Sequence, residues 1–295
     1  MPPDERPLLM ASLDTTPRAN CRSLGAYGLR ILGAGGAEAA LAPVPEHWPA
    51  VELSVEVGEL GAHEEHLDDE RARIRLRTGG WVEIERYPGR ARFFVPAALT
   101  PDELVHPFLA PVATVLSYWH GRESLHGGGI ALGETVWGMV GGRHGGKSSL
   151  LAALAARGVD VVSDDVLVLE QARVFTGPRT VDLREDAAAA LGLGADIGVA
   201  GTRRRWRLAL PQLDRELSLG GWVFVEWADE TELRRLPASG TFVRLAGNRG
   251  ISAPPRDPAV FLQLSALPAW ELRRPRSWSA MPDVLELLLE ALGGA

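Results

Sequence analysis

The sequence predicts an α/β fold with an α+β region ahead of it, and three observations carry that prediction. The first is a glycine-rich octet, Gly141-Gly142-Arg143-His144-Gly145-Gly146-Lys147-Ser148, between an apolar run and an alanine- and leucine-rich one. The second is another apolar run, Val161–Leu169, carrying the paired aspartates Asp164 and Asp165. The third is period-two alternation through residues 27–95, as in Val51-Glu-Leu-Ser-Val-Glu-Val57, which marks strands with one buried face.

In chain order, residues 1–24 are polar and carry prolines, so a frayed start is expected. Arg73-Ile-Arg-Leu-Arg77 and Trp81-Val-Glu-Ile-Glu85 read as strands joined by Thr78-Gly79-Gly80 in a hairpin. A second turn at Tyr87-Pro88-Gly89-Arg90 leads into Ala91–Val95. These strands offer sheet edges on which an extended peptide could add a strand. Thr100-Pro101-Asp102-Glu103 is a capping-box start with proline at the first helical position. A helical region follows to about His120, interrupted at Pro107 and Pro111.

A boundary near Gly121 divides the chain into an N-terminal α+β recognition domain, 1–121, and a core, 122–295. In the core, Glu134–Val140 reads as a buried strand and Lys147–Arg157 as a helix stopped by Gly158. A short helix begins around Glu185, strands cover Trp222–Glu226 and Glu232–Leu236, and a helix opens at Asp257-Pro258 towards Leu267. The last helix runs from Pro282 to Leu292.

An apolar fraction of 46% is ample for a core, and 295 residues suit one large domain or two small ones. A net charge of −7 argues against a non-specific nucleic-acid binder, with Arg203-Arg204-Arg205 and Arg273-Arg274 only local basic spots. Cys21 stands alone, which excludes a disulfide framework and a cysteine-based zinc site. Neither a signal peptide nor a membrane-length apolar stretch is recognisable, so a soluble, cytoplasmic protein is expected.

The octet carries the chemistry. It fits G-x-x-x-x-G-K-[ST] at every fixed position, and Lys147 is the only lysine in the chain. Glycines let successive backbone N–H groups turn towards phosphate oxygens. A compact ammonium on a flexible stem follows β- and γ-phosphates better than arginine's rigid fork. Ser148 is the expected magnesium ligand, and a helix N-terminus favours anions. The octet therefore points to a nucleoside triphosphate. Of the paired aspartates, one can hold magnesium, directly or through water, and the other can accept a hydroxyl proton. The competing reading is an ordinary Ser-Asp-Asp turn.

Leu125-His126, Gly145-Gly146-Lys147-Ser148-Ser149, Arg157-Gly158 and Val162-Ser163-Asp164-Asp165 occur here in the order and spacing found in HPr kinase/phosphorylase-like proteins. The chain resembles that family, in particular its shorter members, which include lasso-peptide precursor kinases and free-serine kinases. The resemblance continues through Gly177-Pro178-Arg179, the segment Leu183–Leu191 and the cluster Arg203–Arg207, and covers residues 122–290. It implies a phosphoenolpyruvate-carboxykinase-like P-loop core, with ATP and Mg2+ bound at Gly141, Gly142, Arg143, His144, Gly145, Gly146, Lys147, Ser148 and Ser149. By the same resemblance Asp164 handles the hydroxyl proton, and Ser148 and Asp165 lie at the metal. His126 stands close to the transferred phosphate, and one of Arg203, Arg204 or Arg205, taken as Arg205, neutralises γ-phosphate charge. A glutamate-containing signature of the bifunctional enzymes is not recognisable, so the resemblance does not extend to phosphorylase activity or to HPr as substrate.

The function expected is an ATP-dependent kinase acting on a serine-type hydroxyl of a peptide, a biosynthetic precursor peptide among them. Alternatives are a kinase of a small hydroxylated metabolite such as free serine, and a non-catalytic ATP-binding regulatory module. No nucleic-acid or membrane partner is expected, and a homo-oligomer is left open. Weaker candidates are discounted. His63-Glu64-Glu65-His66 with Asp68, Asp69 and Glu70 reads as a solvated acidic loop before a metal site. His106 and His120 read as packing or capping residues, the tryptophans as core and interface residues. The arginine cluster is evenly balanced between a solvated turn and phosphate binding.

Overall fold

The computed structural model describes residues 23–58, 61, 64–213 and 217–293. Cys21, His63 and nearly all of the expected frayed start lie outside them. The described residues are mixed α/β and form three sheets.

The first sheet is built from β1 (Leu24–Ala26), β2 (Leu29–Leu32), β3 (Ala42–Pro43), β4 (Ala50–Val57), β5 (His66–Leu67), β6 (Arg71–Arg75), β7 (Trp81–Glu85) and β8 (Arg90–Val95). Their spatial order is β3-β1-β2-β4-β8-β7-β6-β5. Alternation does what period two requires, as β7 sends Val82 and Ile84 inward, both 0% exposed. A two-residue turn, Tyr27-Gly28, joins β1 to β2 with φ of 58° and 75°. Two positive φ values in succession match the right-handed strand twist.

Two expectations fail in this sheet. Strand β6 stops at Arg75, because Gly79 and Gly80 take φ of 92° and 86° and Leu76 N–H bonds the Gly80 carbonyl at 2.9 Å. Arg77 therefore lies in the turn. Moreover β6 pairs with β5 and β7, and β7 with β6 and β8, so neither offers an edge. The edges are β3 and β5, two residues each.

Helix α1 (Pro101–Glu103) carries the expected capping box at Thr100. A π-helical turn, Leu104–Phe108, leads into α2 (Leu109–Trp119). Within it His106 leaves helical geometry (φ −147°, ψ 121°), as a residue ahead of proline does. Pro111 causes no break, because it sits in the first turn of α2, where an N–H has no intrahelical partner. Phe108, Val112 and Leu116 of this segment share one apolar cluster with Phe93 and Ile84, and with Val166, Val168 and Phe175 from beyond Gly121. Arg122 adds a polar tie, donating to Glu170 and to the Gly28 carbonyl. The apolar cluster therefore draws on residues from both sides of Gly121.

The second sheet comprises β9 (Glu123–Leu132), β10 (Thr135–Val140), β11 (Asp160–Ser163), β12 (Val166–Glu170), β13 (Arg173–Phe175) and, beyond the third sheet, β17 (Leu217–Trp227), β18 (Glu232–Arg235) and β19 (Ala269–Arg274). Helix α3 (Lys147–Ala156) follows β10. The third sheet is β14 (Thr180–Leu183), β15 (Ala195–Ala200) and β16 (Arg203–Ala209), with α4 (Glu185–Leu191) between the first two. Helices α5 (Ala238–Gly247), α6 (Pro258–Ala266) and α7 (Met281–Gly293) complete the chain.

Strands β10, β17 and β19 run parallel, and β10 pairs with β9 on its other side. Along β17, Val223 and Val225 pack with Leu150, Leu154 and Leu285 of α3 and α7. Trp222 and Phe224 point the other way, to Phe261 and Leu264 of α6 and Leu245 of α5. Both faces of the strand are covered, which is why it reads as a nearly continuous apolar run. The strand through Val161 ends at the paired aspartates, as expected, with β12 beginning after them, and Arg203–Arg207 lies in β16.

Candidate active site

The glycine-rich loop, 141–146, leaves the end of β10 and enters α3. Close packing fixes its composition. A Cβ on Gly141 would stand 2.6 Å from the Val225 carbonyl oxygen, and one on Gly146 2.3 Å from Arg274 Nη2. Gly146, at φ +78°, is the N-cap of α3 and supplies no side-chain cap, so the first-turn N–H groups face the loop unshielded. Behind the loop, buried Arg274 donates to the Gly146 carbonyl at 3.1 Å and stacks on Trp227. Trp227 Nε1 donates to the His144 carbonyl at 2.8 Å. Arg143 and His144 stand exposed at the tip, and the His144 ring meets Arg184.

Lys147 is buried, and its Nζ donates to the carbonyls of Gly141 at 2.7 Å and Gly142 at 3.0 Å. Burial pushes its pKa down, while Asp164 and Asp165 pull it back up. Nζ also lies 3.4 Å from His126 Nε2 on β9. His126 is pushed down by burial first and by Lys147 second. A neutral ring that accepts at Nε2 keeps its proton on Nδ1, which faces Asp165. Ser148 Oγ donates to Asp164 Oδ1 at 3.0 Å. Ser149 follows half-buried on the same helix.

The aspartates interrupt what would otherwise be one strand beside β9. Ser163 at the end of β11 registers with Gly129, and Val166 at the start of β12 registers with His126. Asp164 and Asp165 are thus extruded opposite Gly127-Gly128. Asp165 takes φ +71°, a left-handed conformation that aspartate tolerates better than most residues. Gly128 makes room, since a Cβ there would sit 2.4 Å from the Ser163 carbonyl oxygen. Asp164 is buried, and its pKa is pushed up to about 6, by burial first and by the Asp165 charge second. Ser148 and His106 oppose that rise. Asp165 lies between two histidines, 3.7 Å from His106 Nδ1 and 3.8 Å from His126 Nδ1.

The arginine cluster sorts by strand alternation. Arg204 points to Asp196 and is exposed. Arg207 on the opposite face is bound by Asp182 and Asp102. Arg203 and Arg205 share the Arg207 face, and Arg205 Nε is buried without a hydrogen-bond partner. His144 is held down by Arg184 first, then by burial, Arg203, Arg276 and Arg77. Arg184 is lowered in turn by burial and by Arg203 and Arg205. Cations from both halves of the chain therefore converge on the loop tip.

Sequence reasoning missed His106, Tyr27, Arg184 and Arg77 at this site. His106 had one local signal, the proline after it, which pulls its backbone out of the helix. Tyr27 had the Tyr-Gly turn pair, which turns its ring inward to full burial with Oη 3.5 Å from the Asp164 carbonyl oxygen. Tyr27, Val105, His106, Asp164, Pro178, Thr180 and Asp182 line a narrow cleft. The acidic segment near His66 is confirmed as solvated. His66 pairs with Asp68, whose carboxylate is pulled down to about 2, chiefly by the N–H groups of Glu70 and Arg71. Among the described residues, no group of three or more His, Cys, Asp or Glu is placed to hold a metal ion. No helix among them is long and apolar enough to cross a membrane.

The class defined by this geometry is a mixed α/β protein with a glycine-rich loop facing paired carboxylates. No family model matches the chain, and no curated protein matches it. Among solved structures it is similar to the Hpr(Ser) kinase/phosphatase from Coxiella burnetii, at 12% identity and a TM-score of 0.29, over 58% of this chain and 97% of that one. At that score the likeness carries no argument.

Proposed function

We propose that this chain is an ATP-dependent kinase with a P-loop, HPr-kinase-like core, transferring the γ-phosphoryl group to a serine-type hydroxyl. The observation that carries the reading is the meeting of Ser148 and Asp164 at the start of α3, 3.0 Å apart, beside Lys147 and His126. A chance glycine turn has no reason to bring a buried carboxylate to the one hydroxyl its motif assigns to a metal.

The residues fit magnesium and ATP. Magnesium in such sites takes one or two carboxylates together with substrate phosphates and water, and Ser148 with Asp165 supplies such a set. The unpartnered Nε of Arg205 and the uncapped N–H groups of α3 suit phosphate oxygens. When bound, the ion neutralises charge on the phosphates. Lys147 has only loop carbonyls and a neutral histidine to exchange for phosphate oxygens, so its ammonium swings out at little cost. Ser148 can donate its hydrogen to Asp164 and still present lone pairs to the metal, which fixes the hydroxyl's orientation. Asp164, ionised above about pH 6, accepts the proton of the attacking hydroxyl. The new O–P bond forms as the β–γ bridging bond breaks, and its electron pair stays on the departing diphosphate. Arg184 and Arg203, close enough to the loop tip to lower the His144 pKa, and Arg205, close to Arg184, are the cations assigned here to offset that charge.

Calorimetry of ATP·Mg binding to the full chain and to Lys147→Ala tests the reading. Loss of tight binding with an unmoved thermal midpoint for the nucleotide-free variant is expected. Wild-type affinity in the variant would remove the phosphate-loop assignment.

A further inference from the structure

Three segments meet at Gly201, in the turn between β15 and β16. A Cβ there would stand 3.0 Å from Pro107 Cγ and 4.0 Å from Thr78 Cγ2, and the Gly201 N–H bonds Glu103 Oε1 at 3.3 Å. The β6–β7 hairpin turn is thereby docked against the kink that carries His106 and against the start of β16. Arg77, next to Thr78, and Arg203, just past Gly201, both stand exposed at this junction. His106 in turn lies 3.7 Å from Asp165, so the junction borders the paired aspartates. The charge of Arg77 reaches His126 beside Lys147 and His144 at the loop tip.

Arg276 reaches the same tip from the segment after β19. It is exposed, and its guanidinium lies 6.0 Å from the centre of the Trp227 ring. Trp227 Nε1 holds the His144 carbonyl at 2.8 Å. Among the described residues neither Arg77 nor Arg276 pairs with a carboxylate, in a chain whose net charge is −7. The nucleotide does not account for them either. Lys147, Arg184, Arg203 and Arg205 with Mg2+ balance ATP and the two ionised aspartates charge for charge, which leaves Arg77 and Arg276 in excess.

Exposed guanidinium groups attract carboxylates without enclosing them. The cleft beside Asp164 is about the size of one water and encloses no acceptor. Such an arrangement suits an extended chain lying across the surface, with its hydroxyl at Asp164 and its own acidic side chains beside the arginines.

We propose that Arg77 and Arg276 recognise the phosphoryl acceptor as an acidic peptide, whose carboxylates flank the serine-type hydroxyl. The inference rests on the kinase reading above. It gives the N-terminal half a part that its alternating strands do not suggest: a cation on a hairpin turn, in place of a free strand edge.

The test uses the full chain saturated with ADP·Mg, so that the cations assigned to phosphate are engaged. Two fluorescein-labelled peptides are compared, one with a serine between two pairs of glutamates and one with glutamines in their place. Fluorescence anisotropy should show the acidic peptide binding about tenfold or more tightly at low ionic strength, with the advantage shrinking in about 1 M salt. Arg77→Gln combined with Arg276→Gln should abolish the preference, while calorimetric ADP·Mg affinity stays within error of the wild type. With ATP·Mg, the acidic peptide should have the lower KM at a similar kcat, and free L-serine should be the poorer substrate. Equal binding of the two peptides, or a preference that survives the double variant, would overturn the proposal. So would a double variant that loses ADP·Mg, since the arginines would then belong to the nucleotide. Free L-serine used better than either peptide would overturn it in favour of a small anionic acceptor. A wild-type chain that binds the acidic peptide with the expected preference, yet transfers nothing from saturating ATP·Mg, would instead remove the kinase reading and leave the peptide surface standing.

Discussion

Ser148 Oγ donates to Asp164 Oδ1 across 3.0 Å, joining the start of α3 to the break between β11 and β12. The residue expected at the metal and the residue expected to take the proton are therefore neighbours. Asp165, assigned to the metal together with Ser148, faces His106 and His126.

Asp164→Asn should lose transfer and gain stability at once. The pKa of Asp164 is raised in the folded chain to about 6 from an ordinary 3.8. Between these values the folded protein keeps a proton that the unfolded chain has lost, so stability falls as pH rises through that window. Above it the full penalty applies, and a neutral amide removes it. We expect the variant to be more stable at pH 8 by on the order of 1–3 kcal/mol, and no more stable below pH 4, in urea melts without nucleotide. Turnover should drop by about 10²–10⁴ for loss of a general base. A variant less stable at pH 8 would contradict the buried-charge account.

His106→Gln should move the acid limb of the rate profile upward. In the wild type, kcat should fall as pH drops through about 6, where Asp164 takes up its proton. The His106 ring beside the pair lowers the Asp164 pKa, so without it the carboxylate protonates more readily. An unmoved limb, with an altered maximum only, would place His106 outside the electrostatics of the pair.

Arg204 and Arg205 should separate cleanly. Arg204→Ala removes an exposed pair with Asp196 and should leave ATP·Mg affinity unchanged. Arg205→Ala removes a cation whose Nε has no protein partner and should weaken binding about tenfold or more. Equal effects in calorimetry would mean that strand alternation in β16 does not sort them.

The octet and the aspartate pair were legible because their signals are local. Glycine spacing, a lone lysine and a capped or uncapped helix start all lie within one stretch of chain. The strands of the first sheet were legible for the same reason, since period two survives in any register. Their partners were not. Whether β6 is an edge depends on β5, two residues whose exposed His66-Leu67 carry no strand pattern. Arg203–Arg207 could not be told from a turn because charge masks the alternation that pairing with β14 imposes. Tyr27 and His106 reach Asp164 from 137 and 58 positions away, and no periodicity reports a contact that long-range packing creates.

The central claim is phosphoryl transfer at Asp164 from a nucleotide held over Lys147. Phosphorus NMR of the full chain with ATP·Mg, glycerol, L-serine and N-acetyl-serine amide tests it most directly. The account predicts ADP together with a new phosphomonoester resonance from at least one of these alcohols, both absent with Asp164→Asn under conditions where that variant still binds nucleotide. A phosphomonoester formed equally by Asp164→Asn, or no transfer by a wild-type chain saturated with ATP·Mg, would contradict it.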